Sequence, residues 1–308
     1  AYMQYIMLIL MSFLMMSMMF ELIPRASVSA GRIAEVLRTD ASIADDPAAA
    51  SASSSRAEAA PGAGLEFRNV SFTYPGAKDE ALHDVSFAAR PGETTAVIGS
   101  TGSGKSTLAS LIPRFCDATE GAILTDGIDI RRLPLAELRR RIGYVPQKSV
   151  LFSGTIGDNI AYSDPDLPED ALWRAAEIAQ AGDFIRDKEG GMSAEIAEDG
   201  ANVSGGQRQR LSIARALARD AEIYIFDDSF SALDFKTDAA LRTALKKELG
   251  RSVVLIVTQR VSAAMQADRI LVLDRGRVVG AGRHTDLMEG CAVYREIALS
   301  QLDKEDLA

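Results

Sequence analysis

Apolar and polar positions divide the chain into stretches of different pattern. Residues 1–23 are apolar almost without interruption, with no charge before Glu21. At 1.5 Å per residue, about twenty such residues cross a bilayer core. A soluble helix is seldom apolar on all faces for that length. The pattern therefore predicts a transmembrane helix, and residues 25–37 continue in helical fashion, with Val28, Ile33, Val36 and Leu37 near a three/four spacing. Ala and Ser dominate residues 39–64, with Pro47, Pro61 and Gly62, which is linker composition. A folded domain is expected over residues 65–302, followed by a short tail at 303–308.

In that domain, Leu65, Phe67, Phe72 and Tyr74 predict β structure with a break near Asn69 and Val70. Short strands are predicted at 85–87, 94–98, 122–124 and 142–145, with a tight turn at Asp126 and Gly127. Residues 135–141 read as a short helix whose arginines face solvent. Residues from about 148 to 203 read as a mainly helical subdomain, with Leu172, Trp173, Ala175 and Ala176 in its core. The continuous apolar runs at 223–226 and 253–257 are those of a parallel sheet buried on both faces. Strands alternating with helices place the domain in the α/β class, with an antiparallel section in front.

Composition sharpens this picture in a few places. The chain has 308 residues and a net charge of −9, which argues against a nucleic-acid partner. Cys116 and Cys291 lack metal-ligand spacing and read as packing residues in a reducing cytosol. His83 and His284 are too few for a histidine-based metal site. Arg25, Arg32 and Arg38 follow the apolar helix, placing its C-terminal side in the cytoplasm. The segment Ser27-Val28-Ser29-Ala30 resembles a signal cleavage site, but no basic region precedes it and the apolar run is too long. The seven methionines of the helix are spread around it and read as lipid and helix contacts. With Ala rather than Met at its start, the chain is expected to begin inside or just before the last membrane helix of a longer protein.

The candidate chemistry lies in two glycine-rich turns. Gly99-Ser100-Thr101-Gly102-Ser103-Gly104-Lys105-Ser106 fits G-x-x-x-x-G-K-[ST] between a predicted strand and a predicted helix that takes in Thr107. Backbone N–H groups and the positive helix end would face a phosphate, Lys105 would reach the β/γ-phosphates, and Ser106 would ligate Mg²⁺. Ser204-Gly205-Gly206-Gln207 opens an amphipathic helix and forms a second phosphate-facing nest. Two such nests in one chain suggest a head-to-tail dimer, each ATP lying between one chain's first turn and the other's second.

Here the sequence resembles the ATP-binding-cassette ATPases over about residues 65–302, and residues 1–38 resemble the end of the last membrane helix of exporter-type half-transporters. The resemblance implies a P-loop NTPase fold: a RecA-like core with an antiparallel β subdomain and a helical subdomain, behind a transmembrane helix. It implies ATP and Mg²⁺ as ligands and a second half-transporter as partner. Transmembrane domains would act through coupling helices and through the segment from Glu195 to Gly200, in the inner membrane with the ATPase domain on the cytoplasmic face. Tyr74 would stack on adenine. Gln147, in Tyr144-Val145-Pro146-Gln147, would reach the Mg²⁺, and Asp227 would hold it. Ser204, Gly205, Gly206, Gln207 and Asp234 would act in trans at the dimer seam.

Two positions depart from the family pattern. After Asp227 the family has Glu, which polarises the attacking water; this chain has Asp228. The shorter side chain displaces the carboxylate by roughly 1 Å, which can cost about 10²-fold in rate. Where the family has a histidine at the γ-phosphate, this chain has Gln259, which donates a hydrogen bond but carries no charge. Together they suggest the degenerate subunit of a heterodimeric exporter, with a slow homodimer or a purely regulatory nucleotide-binding half as alternatives.

Overall fold

A computed structural model describes residues 2–45 and 64–301. Residues 46–63 of the expected linker, Leu302 and the expected tail lie outside the described residues. The chain divides between Ala44 and Asp45 into two units. The first holds one helix, α1 (Tyr2–Leu37), which runs through Pro24 without a break. It is long and apolar enough to cross a membrane, with a mean hydropathy of 2.3 over its most apolar window. Its side chains are exposed, and its first two charges pair as Glu21 and Arg25, 2.7 Å apart.

The second unit opens with an antiparallel sheet of order β2-β1-β4-β5, built from β1 (Leu65–Phe72), β2 (Leu82–Ala89), β4 (Glu120–Thr125) and β5 (Ile128–Asp129). The expected break near Asn69 is a bulge: pairing with β2 shifts register between Phe67 and Val70, and Asn69 takes a φ of 48°. The strand expected at 85–87 is longer than its apolar residues alone mark.

The larger sheet has the order β12-β11-β3-β10-β9-β6. Its strands are β3 (Thr94–Ile98), β6 (Ile142–Val145), β9 (Ile223–Asp227), β10 (Val253–Thr258), β11 (Arg269–Asp274) and β12 (Arg277–Gly282). All neighbours pair in parallel except β11 with β12. Alternate side chains enter different cores. Tyr224, Phe226, Val254 and Ile256 pack toward the helical side, while Ile223, Ile225, Leu255 and Val257 pack under the antiparallel sheet. Both faces are thus buried, which is why these strands read as unbroken apolar runs.

The helices are α2 (Lys105–Leu111), α3 (Leu135–Arg140), α4 (Ile156–Ile160), α5 (Glu169–Ile178), α6 (Gly182–Asp187), α7 (Gly205–Leu217), α8 (Phe235–Glu248), α9 (Val261–Ala264), α10 (His284–Gly290) and α11 (Ala292–Gln301). Two expectations need correction. Residues 148–203 are not mainly helical: α4, α5 and α6 are short, and β7 (Gly154–Thr155) pairs with β8 (Glu195–Ile196). The end of the 135–141 segment is not a solvated face. Arg141 is buried and paired with Asp126 and Glu222, because a charge this far inside must find partners. Leu172, Ala175 and Ala176 are buried with Trp173 packed beside them, Cys291 is buried, and Cys116 lies against the core.

Candidate nucleotide site

Four connections leave the carboxyl ends of parallel strands on one edge of the sheet. The glycine loop follows β3, Gln147 follows β6, Asp227 ends β9, and Gln259 follows β10. Open α/β sheets form their ligand crevices at this edge. A cavity of about 560 Å³ opens there, walled by Tyr74, Thr101, Gly102, Gly104, Lys105, Ser106, Thr107, Gln147, Asp227, Asp228 and Gln259.

Gly99, Ser100 and Ser103 of the same loop do not wall the cavity. Lys105 Nζ donates to the carbonyls of Gly99 (2.8 Å) and Ser100 (2.7 Å), so the ammonium lies inside the turn. Gly99 is required sterically: a Cβ there would stand 2.1 Å from the Leu273 carbonyl oxygen and 2.6 Å from Ser103 Oγ. Gly102 is required conformationally, at φ 80°. Gly104 precedes α2 and completes the loop that aims the first-turn N–H groups at the cavity.

Burial governs the charges. It lowers the pKa of Lys105, and the charges of Asp228 and Asp227 oppose that shift. Asp227 is only 4% exposed; burial raises its pKa, a hydrogen bond from Ser106 opposes this, and the charge of Asp228 adds to it. Ser106 Oγ donates to Asp227 Oδ1 at 3.1 Å. Burial also raises the pKa of Asp228, against the pull of Arg260 and Lys105. Two partly desolvated acids beside one ammonium favour a further cation. The Ser106 hydroxyl, the Asp227 carboxylate and the Gln147 amide are hard oxygen donors. Among the described residues no three His, Cys, Asp or Glu side chains gather into a cage. One carboxylate with few protein ligands and substrate phosphates fits Mg²⁺, which prefers this to an all-protein site.

Tyr74 stands at the mouth, 44% exposed. Its hydroxyl lies 3.0 Å from Thr107 Oγ1, and its ring stands at 81° to that of Phe72, with centroids 4.8 Å apart. Thr101 Oγ1 donates to Gln259 Oε1 at 3.2 Å, tying the loop to the segment after β10.

The second turn lies apart from the cavity. Ser204 caps α7 by accepting from Gln207 N at 3.2 Å, and Gln207 Oε1 accepts from Ser204 N at 3.0 Å, with Gly205 and Gly206 between them. Asp234 caps α8 by accepting from Thr237 N at 3.0 Å, which holds its carboxyl below the usual range. None of these five residues walls the cavity within this chain. Five cavity residues fall outside the motif reading: Glu80, Ala81, His83, Arg275 and Gly276. His83 Nδ1 lies 2.6 Å from Glu80 Oε2. Glu80 and Ala81 come from the turn between β1 and β2, His83 from the start of β2, and Arg275 and Gly276 from the β11–β12 hairpin. The apolar run at 270–273 was the available signal for that hairpin.

The family model for ABC transporters matches residues 82–231. The chain carries an ABC transporter ATP-binding domain of the exporter type. An uncharacterized ABC transporter ATP-binding protein of Mycobacterium tuberculosis is 46% identical over 306 residues, 98% of this chain and 51% of that protein. An ATP-dependent lipid A-core flippase of Pseudomonas fluorescens is 43% identical over 247 residues, 79% of this chain and 41% of its own length. The solved structure of a bacterial Atm1-family ABC exporter with ATP bound matches with a TM-score of 0.82 and 34% identity, over 93% of this chain and 49% of that one. The chain spans about half the length of the curated relatives it matches. Its fold is the α/β fold of ABC ATPases, behind a long apolar helix.

Proposed function

We propose that this chain is the ATP-binding half of a membrane exporter whose own phosphate loop holds ATP longer than it hydrolyses it. In this reading α1 is the end of the last membrane helix, with the ATPase domain on the cytoplasmic face. A second half-transporter pairs head to tail, so that Ser204, Gly205, Gly206, Gln207 and Asp234 complete the partner's ATP site. The supporting observation is the place of the two departures. Asp228 and Gln259 wall the same cavity as Lys105 and Ser106, where a γ-phosphate would lie.

Each side chain then has a defined task. Lys105 and the loop N–H groups bind the β/γ-phosphates, and Tyr74 stacks on the base. Ser106, Asp227 and Gln147 would hold Mg²⁺. Bound Mg²⁺ neutralises charge on the phosphates. Asp228 would orient the attacking water, but its carboxylate ends one methylene short. Gln259 would hydrogen-bond the γ-phosphate without stabilising its developing charge. Occupancy of this site would hold the pair together while the partner's site turns over. The test is the double substitution Asp228→Glu with Gln259→His, assayed in the assembled transporter. A rise in hydrolysis at this chain's site on the order of 10²-fold is expected. No rise would leave the purely regulatory half as the better reading.

A further inference from the structure

Arg242, on α8, lies away from the cavity wall, yet its guanidinium touches three segments that carry site residues. Nε donates to Asp238 Oδ1 at 2.7 Å, in the first turn of the helix that Asp234 caps. Nη1 donates to the Ala263 carbonyl at 2.9 Å, in α9, just beyond Gln259. Its central carbon lies 4.6 Å from the ring centroid of Phe230, two residues after Asp228. The side chain is only 9% exposed, and Nη2 is buried without a hydrogen-bond partner.

Burying a guanidinium with one donor unmatched is costly. The fold accepts that cost where one planar group can hold three chain segments at once. A planar fork with fixed donor directions suits this bracing, whereas an ammonium is a point charge. The same segments are tied again nearer the site: Arg260 Nη2 donates to the Ser231 carbonyl at 3.0 Å. That bond is exposed, so the buried bracket at Arg242 is the firmer of the two.

We propose that Arg242 is a positioning residue that keeps the turn after Asp228, the start of α8 after Asp234 and the segment after Gln259 in one fixed arrangement. The inference rests on the reading of Gln259 as a γ-phosphate contact. Gln259 and Asp228 sit at the γ-phosphate, so loosening the bracket weakens the hold on ATP and leaves ADP binding intact. A residue that only adds stability would change both nucleotides equally or neither.

The test measures ATP and ADP affinities with Mg²⁺ on the full chain in its membrane assembly, together with the nucleotide-free Tm. The variants are Arg242→Met, Arg242→Lys and Gln259→Ala. The ATP-to-ADP affinity ratio is expected to fall about fivefold in Arg242→Met, the size of one ordinary hydrogen bond. ADP affinity should stay within twofold, and Arg242→Lys should recover part of the ratio. An unchanged ratio in Arg242→Met, beside a lowered ratio in Gln259→Ala, overturns the role of Arg242 alone. An unchanged ratio in Gln259→Ala, or a wild-type ratio of one, overturns the γ-phosphate reading and this inference with it.

Discussion

Gly99→Ala tests the phosphate cradle through a single methyl group. The added Cβ would stand 2.1 Å from the Leu273 carbonyl oxygen, a backbone atom of β11 that cannot swing aside. Ordinary contact begins at 3.4 Å, so the loop must move by about 1 Å, enough to misalign a charged ligand. Each backbone N–H bond to a phosphate is charge-assisted and contributes about 1.5–3 kcal/mol. Losing two costs about 3–6 kcal/mol, which raises the Kd for ATP by roughly 10²- to 10⁴-fold. Gly102→Ala is the control. It adds a methyl group with nothing within 4 Å and carries only the strain of φ 80°, about 1–2 kcal/mol. Its effect should stay near tenfold. Calorimetric titration with ATP reads both variants, and the nucleotide-free Tm shows that each is folded. A folded Gly99→Ala that binds within threefold of wild type would refute this steric reasoning, as would a larger loss in Gly102→Ala.

The two acids and the core give further tests. The folded pKa of Asp228 is raised, so the stability it contributes is present at low pH and is lost as pH rises through that pKa. Asp228→Asn removes the partly buried charge and should raise the nucleotide-free Tm at pH 7.5, by about 2–4 °C for each kcal/mol recovered. The gain should shrink as pH falls toward 4, and a lower Tm at pH 7.5 would contradict the assignment. Ile225 is fully buried in a strand flanked by others on both sides. Ile225→Ala should cost about 2–5 kcal/mol in denaturant unfolding while leaving ATP affinity of the folded protein unchanged.

How much was legible in the sequence depended on whether the signal was local. The glycine loop, the capped turn at Ser204 and the aspartate ending β9 each carry their chemistry within a few residues. The runs at 223–226 and 253–257 announced buried strands because both of their faces are covered. Residues 148–203 were harder: α4 and α6 are too short to show a helical period, and β7 with β8 is a pairing of two residues each. Arg141 looked like part of a solvated face because its partners, Asp126 and Glu222, are distant in sequence. Glu80, His83 and Arg275 reach the cavity only after two separate hairpins fold toward the loop. Arg242 is a similar case, since its three contacts converge only in the folded chain.

The balance between holding and hydrolysing ATP is tested most directly by following one nucleotide at this chain's own loop. In the head-to-tail pair proposed above, with the other half's phosphate-loop lysine replaced, radiolabelled ATP would be bound and its conversion to ADP timed in a single turnover. Slow conversion in the wild-type chain is expected, accelerated on the order of 10²-fold by Asp228→Glu with Gln259→His. Conversion as fast in the wild-type chain as in the double variant would contradict it.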